Sequence, residues 1–115
     1  MKYLLLFTCL SCQASINDIR AVYGEACGEP YQAKLGVSAV IRNRGSLNGV
    51  YGIHSKQLSH ISPKAWKDCE RAWNESATND ITHGCKFFGG KIDDKYFAKL
   101  GMKPVMMIGH TRFYR

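Results

Sequence analysis

The sequence predicts a single α+β domain, about three helices packed with a small antiparallel sheet. Three observations carry this expectation. Apolar residues recur at helical spacing in three segments of the first two thirds of the chain. The last third holds two apolar, aromatic stretches broken by glycine, "THGCKFFGG" and "VMMIGHTRFYR", which have the character of paired strands. The 115 residues contain no internal repeat and can bury one modest core, not two.

The first helix starts at Ser15, which can cap it, with Asp18 where a capping-box acid would sit. Ile16, Ile19, Val22, Tyr23 and Ala26 form its apolar stripe, and Gly28 and Pro30 end it. A second helix runs from Tyr31 to about Asn43. It carries Leu35, Val37, Ala39, Val40 and Ile41 on most of its sides, the pattern of a buried central helix, and Gly45 stops it. Residues 45–61 are rich in Gly, Ser, Asn and His and read as a long loop, a kind of segment that often carries function. Ser62 caps a third helix with Pro63 at its first position and Trp66, Cys69, Ala72 and Trp73 as its buried stripe. Thr78-Asn79-Asp80 ends it. Between the two extended stretches, residues 93–100 form a short helix or an irregular turn.

The N-terminus has its own logic. "MKYLLLFTCLSCQAS" places Lys2 before an apolar run and a small residue, Ala14, at its exit, the order of a secretory signal peptide covering residues 1–14. The run is shorter than the roughly 20 residues needed to span a bilayer, so no stable membrane insertion is expected after cleavage. Removing Lys2 lowers the formal charge from +7 to +6. A basic surface suits polyanionic partners such as nucleic acid, an anionic bilayer or an acidic wall, or serves solubility alone. Of five cysteines, Cys27, Cys69 and Cys85 remain after the leader. That odd number allows one internal disulfide, assigned here to Cys69 and Cys85, and the absence of a remaining C-x-x-C pair gives no support to structural zinc.

The chemistry-bearing candidates cluster in "VYGEACGEPYQ". Glu25 falls in the last turn of the first helix, where the helix dipole is unfavourable for a carboxylate. Partial burial and that dipole both raise a carboxyl pKa and keep it protonated, as a general acid requires. Glu29 lies past the break, next to Pro30, where backbone N–H groups of the next helix favour the charged form. Two carboxylates pushed apart in pKa suit glycosidic bond cleavage; two ordinary boundary glutamates are the plainer alternative. His54, His60, His83 and His110 are scattered and form no zinc-protease motif. No G-x-S-x-G supports a serine hydrolase. The "HTRFYR" tail suits either single-stranded nucleic acid or an edge strand.

Taken together, these segments resemble the SleB/CwlJ-type cell wall hydrolases, the spore cortex-lytic family. The resemblance rests on Ala21, on Glu25-Ala26-Cys27-Gly28-Glu29-Pro30, on Gly36 with the apolar helix after it, and on Asn43-Arg44. Weaker matches are Gln57-Leu58-Ser59 for a Q-F-S element, Thr82-His83 before Phe87-Phe88, and a terminal Ile108-Gly109-His110-Thr111-Arg112-Phe113-Tyr114 with its histidine one place early. Cys27 stands where arginine is frequent, and Tyr96 stands in for a missing tryptophan. The resemblance spans about residues 19–115 and implies a lysozyme-like catalytic domain over 15–115. It implies a peptidoglycan-degrading glycosidase, a lytic transglycosylase or muramidase, with Glu25 as the catalytic acid/base. Glu29, Gln57, Ser59, Thr82, His83 and Tyr114 are then candidate substrate-binding residues. The expected partner is peptidoglycan rather than nucleic acid, with no metal or cofactor, and the expected state is a monomer secreted to the wall or periplasm. The alternatives are an N-acetylmuramoyl-L-alanine amidase, a label also attached to this family, and a non-catalytic basic protein that binds wall or nucleic acid.

Overall fold

The computed structural model describes residues 16–115. The expected leader over residues 1–14, with Cys9 and Cys12, and the expected cap Ser15 lie outside the described residues. Helix α1 covers residues 16–26 and buries Ile19, Val22, Tyr23 and Ala26 of the expected stripe; Ile16, at the helix start, is exposed instead. A turn through Cys27 and Gly28 leads to Pro30, which precedes α2 (Tyr31–Arg44). Every residue of α2 from Ala33 to Ile41 is buried, so it is the central helix around which the domain packs. Two polar side chains in that run find partners. Ser38 Oγ donates back to the Lys34 carbonyl at 2.8 Å, and Lys34 Nζ donates to the Glu29 carbonyl, pinning the α1–α2 turn. Gly45 ends α2 in the left-handed conformation, φ 71°, its N–H returning to the Ile41 and Arg42 carbonyls.

Helix α3 (Pro63–Glu75) opens on Ser62, whose Oγ accepts the Ala65 N–H at 3.4 Å, and packs Cys69, Ala72 and Trp73 inward. Arg42 joins α2 to the end of α3, donating to the Trp73 carbonyl and to Ser76 Oγ, each at 2.8 Å, with its guanidinium 3.9 Å from the Trp73 ring centroid. The sheet has three strands: β1 (Phe87–Gly89), β2 (Met106–Ile108) and β3 (Thr111–Tyr114), in the order β1-β3-β2, all antiparallel. Phe113 in the middle strand faces both Phe88 and Met106 across the ladders and is fully buried. Its ring lies against Gly36 of α2; a Cβ there would come 2.5 Å from Phe113 Cζ. A short helix, α4 (Asp94–Lys99), follows a 3₁₀ turn at Lys91–Asp93 and supports the sheet through Phe97.

Several expectations need correction. The glycine break expected in the stretch 105–115 makes it a hairpin of its own, because Gly109 takes φ 59° and turns the chain back between β2 and β3. The segment 82–86 is a turn built on Asp80, whose carboxylate accepts the Thr82 N–H and hydroxyl and the Gly84 N–H. Burial alone would raise the Asp80 pKa, but these bonds and one from Asn43 outweigh it and hold the carboxyl at about 2. The loop 45–61 contains two 3₁₀ turns, Tyr51–His54 and Lys56–Ser59. Helix α3 ends at Glu75, before Thr78. The proposed Cys69–Cys85 disulfide does not form: both are buried free thiols, and Cys27 is free and half-buried. Cys85 Sγ points into its own turn at the Thr82 carbonyl, 3.3 Å away, and burial in the core pushes the Cys69 thiol up to about 12. Among the described residues no helix is long and apolar enough to cross a membrane.

Candidate active site

Glu25 stands on the last turn of α1 because the helix carries its stripe of Val22 and Ala26 to that point and breaks only after it. The room beside Gly24 is filled by the 3₁₀ turn at Tyr51–His54. Gly24 and Gly52 meet backbone to backbone, and a Cβ on Gly52 would fall 2.5 Å from Glu25 Cγ. The long loop is thereby laid directly against the carboxylate. Burial pushes the Glu25 carboxyl above its ordinary range. The Gly52 backbone N–H acts in the opposite direction, and the negative charge of Asp93 adds to the rise. The expected elevation is present, with desolvation as its main cause.

Glu29 is held differently from the expectation. Its donors come from the β2–β3 turn and β3, not from the N-terminus of α2. Oε1 accepts the His110 N–H at 2.6 Å and the Thr111 hydroxyl at 3.3 Å, and Oε2 lies 3.1 Å from His110 Nδ1. Gly109 fits against this joint: a Cβ there would come 2.9 Å from Pro30 Cδ and 3.0 Å from Glu29 Oε1. Burial would raise the Glu29 pKa, but the hydrogen bonds and charge of His110 outweigh it and the carboxyl is held below its ordinary value. A carboxylate with a depressed folded pKa contributes stability above its unfolded value, near 4.5, and loses it as pH falls through the folded pKa. Thermal unfolding followed between neutral pH and pH 3 is therefore expected to show a steeper loss in the wild type than in Glu29→Gln. Parallel curves would rule this joint out as an acid-labile contact. Glu29→Gln is also expected to weaken activity without abolishing it, since the turn it anchors lines the groove described next.

A groove passes over Glu25 and has two arms that share Glu25, Phe88, Gly89 and Gly90. One arm, about 510 Å³, is aromatic: Tyr51, Phe87 and Tyr96 line it together with Arg44 and Asp93. Tyr51 and Tyr96 are 77% and 62% exposed, so their faces are free to meet a ligand. The other arm, about 430 Å³, is polar, with Glu29, Gln57, His110 and Cys27. The strand β1 and its glycines form the bridge between the arms.

Of the residues proposed from sequence, Glu25, Glu29 and Gln57 are thus brought together. Ser59 is exposed one turn away, its hydroxyl donating to the Lys56 carbonyl at 2.7 Å. Thr82 is fully buried with its hydroxyl committed to Asp80 at 2.6 Å. His83 is exposed in the same turn with φ 54°, its carbonyl accepting from Arg115. Tyr114 is buried, stacked on Phe97 at 3.9 Å, and its hydroxyl donates to Asp94 at 3.4 Å. It borders a separate hollow beside Met102 and Arg112. These four do not line the groove. Asp93, Tyr51 and His110 do; sequence reasoning assigned Asp93 and Tyr51 no role, and His110 entered only as the displaced histidine of the terminal match. Among the described residues no group of three or more His, Cys, Asp or Glu is placed to hold a metal ion.

No family model matches the chain, and no curated protein matches it. Solved structures do. The chain is similar to the catalytic domain of the Bacillus cereus SleB protein, with a TM-score of 0.63 and 24% identity over 86% of this chain and 90% of that one. It is similar in the same degree to the catalytic domain of the germination-specific lytic transglycosylase SleB from Bacillus anthracis. There the TM-score is 0.62 and the identity 24%, over 86% of this chain and 94% of that one. The chain therefore shares the lysozyme-like α+β fold of these catalytic domains.

Proposed function

We propose that the protein cleaves the glycan strands of peptidoglycan as a lytic transglycosylase, with Glu25 as its single acid/base. The observation that supports this best is the placement of Glu25. Its carboxyl is desolvated and raised in pKa at the point where the aromatic and polar arms of one groove meet. A glycan lying along both arms has one glycosidic oxygen over Glu25. The protonated carboxyl donates to the oxygen between N-acetylmuramic acid and N-acetylglucosamine as the C1–O bond breaks, leaving a positively charged glycosyl centre. The resulting carboxylate takes the proton from the muramic C6 hydroxyl, whose oxygen bonds C1 and closes a 1,6-anhydro ring. Glu25 ends protonated, and no water is consumed. Tyr51 and Tyr96 offer faces for sugar rings, and Gln57 and the Glu29–His110 pair offer polar contacts on the other side. Export by the N-terminal leader would deliver the enzyme to the wall, where a positive surface favours an acidic matrix.

Hydrolysis is the second reading, and Asp93 is the observation that favours it: a second carboxylate in the same arm can orient a water for attack at C1. Digestion of purified peptidoglycan followed by mass spectrometry separates the outcomes. Anhydromuropeptides are expected. Products with free reducing ends would replace transglycosylation by hydrolysis, and free stem peptides would point to an amidase. Intact strands, with tight and salt-sensitive binding to DNA, would favour the binding-protein alternative.

A further inference from the structure

Asn43 and Arg44 end α2 side by side, but they do different work. Asn43 donates to Asp80 at 2.9 Å and to the Cys85 carbonyl at 3.0 Å, fastening the helix to the Asp80 turn. Arg44 reaches the aromatic arm of the groove. Its Nη2 donates to the Asn48 carbonyl, and its guanidinium lies 5.6 Å from the Phe87 ring centroid. Gly49, at φ 77°, brings the loop so close that a Cβ there would lie 3.2 Å from Nη2. The guanidinium is thus oriented by a carbonyl and a ring before any ligand arrives. Its charge is unspent: the ion pairs among the described residues are His110–Glu29 and Arg112–Asp94. It is also the one cationic side chain lining this arm among the described residues. Asp93 in the same arm is tied to the Gly90 N–H at 2.9 Å and repels anions from its own end. A ligand anion therefore has one favourable place in the arm, next to Arg44 and Phe87.

We infer that Arg44 is a specificity residue that binds a carboxylate carried on a side branch of the glycan, so that the groove selects acid-bearing strands over neutral ones. This rests on reading the groove as a glycan site. A planar guanidinium with free N–H groups donates two parallel bonds to a carboxylate, which a lysine ammonium cannot reproduce. Peptidoglycan strands carry such carboxylates on their peptide branches; a polymer of N-acetylglucosamine has none. The aromatic faces of Tyr51 and Tyr96 serve both polymers alike, so discrimination falls to Arg44.

Binding measured on a Glu25→Gln background, where no turnover interferes, tests this with three probes. They are a neutral N-acetylglucosamine hexamer, a peptidoglycan fragment with free peptide carboxylates, and the same fragment methyl-esterified. Esterification alone is expected to weaken binding about tenfold, the order expected for losing a charge-assisted hydrogen bond. Arg44→Gln should weaken the acidic fragment by a similar factor and leave the ester and the hexamer within about twofold, the two changes being non-additive because they remove one contact. Arg44→Lys should recover part of the loss. The inference is overturned if esterification has no effect, or if Arg44→Gln weakens all three probes equally, as a purely structural arginine would. Tight binding of the hexamer with no effect of esterification overturns this inference and leaves the glycan site standing. Failure of every probe to bind overturns both.

Discussion

Glu25→Gln is expected to lower the rate of glycan release by about 10²–10⁴-fold, the range that a positioned proton donor contributes, while leaving the protein folded. The two halves of this expectation have one physical source. The groove desolvates the Glu25 carboxyl, and Asp93 adds a like charge, so the folded pKa is raised from the ordinary 4.5. A raised carboxyl favours the folded state only while it is protonated. Its contribution is fully present below the unfolded pKa and is lost as pH rises through the folded pKa. Glutamine keeps the shape of the protonated acid and cannot ionise. Glu25→Gln should therefore match the wild type in stability below about pH 4.5 and exceed it at neutral pH. Wild-type activity should fall around the pH at which the two stability curves stop diverging, the folded pKa, since the general acid is lost in that ionisation. Cleavage assays and thermal unfolding over one pH series check both. Wild-type rates in Glu25→Gln would end the assignment of Glu25 as acid/base. An equal stability difference at every pH would show that burial does not govern its proton.

How much of this was legible in the sequence depended on whether the cause was local. Helices α1, α2 and α3 announce themselves because their apolar periodicity, Ser62 cap and Gly45 stop act within a few residues. The place of Glu25 at a helix end beside Gly24 was legible for the same reason, but Gly52 and Asp93, which bear on its proton, come from distant segments. What failed was long-range or depended on a competing local bond. Thr82 and His83 read as part of a strand, yet Asp80 captures the Thr82 and Gly84 N–H groups and bends the chain before β1 starts. The segment 105–115 reads as an extended stretch broken by glycine, but that the break is a hairpin turn depends on the left-handed Gly109, seated on Pro30 and Glu29. Glu29 finds its donors 81 and 82 residues away, so its partner could not be deduced from the neighbouring helix. The aromatic arm was visible only in pieces, Phe87 and Tyr96 through the resemblance and Tyr51 not at all, for a related reason. Tyr51, Phe87 and Tyr96 come from three separate elements, and nothing in their spacing declares a common wall.

The second large effect is expected from a methyl group at Gly24. Gly24 and Gly52 touch through their main chains, and a Cβ at Gly24 would overlap the Gly52 carbonyl, with Gly52 Cα only 2.8 Å away. No side-chain rotation relieves a clash with backbone, so Gly24→Ala must push the Tyr51–His54 turn off α1. Overpacking of this kind costs about 1–3 kcal/mol, which in a domain of this size lowers the melting temperature by roughly 4–8 °C per kcal/mol. The same displacement withdraws the Gly52 N–H from Glu25 and carries Tyr51 out of the aromatic arm. Activity should consequently fall well beyond the fraction of protein unfolded at the assay temperature. Gly28→Ala is the matched control. It lies in the turn just after α1, its φ is not in the left-handed region, and a Cβ there meets nothing within 4 Å. It should leave stability unchanged or raise it by about 0.4–1 kcal/mol through the unfolded chain. If Gly24→Ala unfolds like Gly28→Ala and keeps full activity, the loop is not seated on α1 as the structure places it. The site then owes nothing to the glycine pair. If stability falls but kcat per folded molecule is unchanged, the pair holds the fold alone. A loss in both locates the origin of the site in the contact of two glycines, which lets a long surface loop lie flat against a helix end and desolvate the acid there.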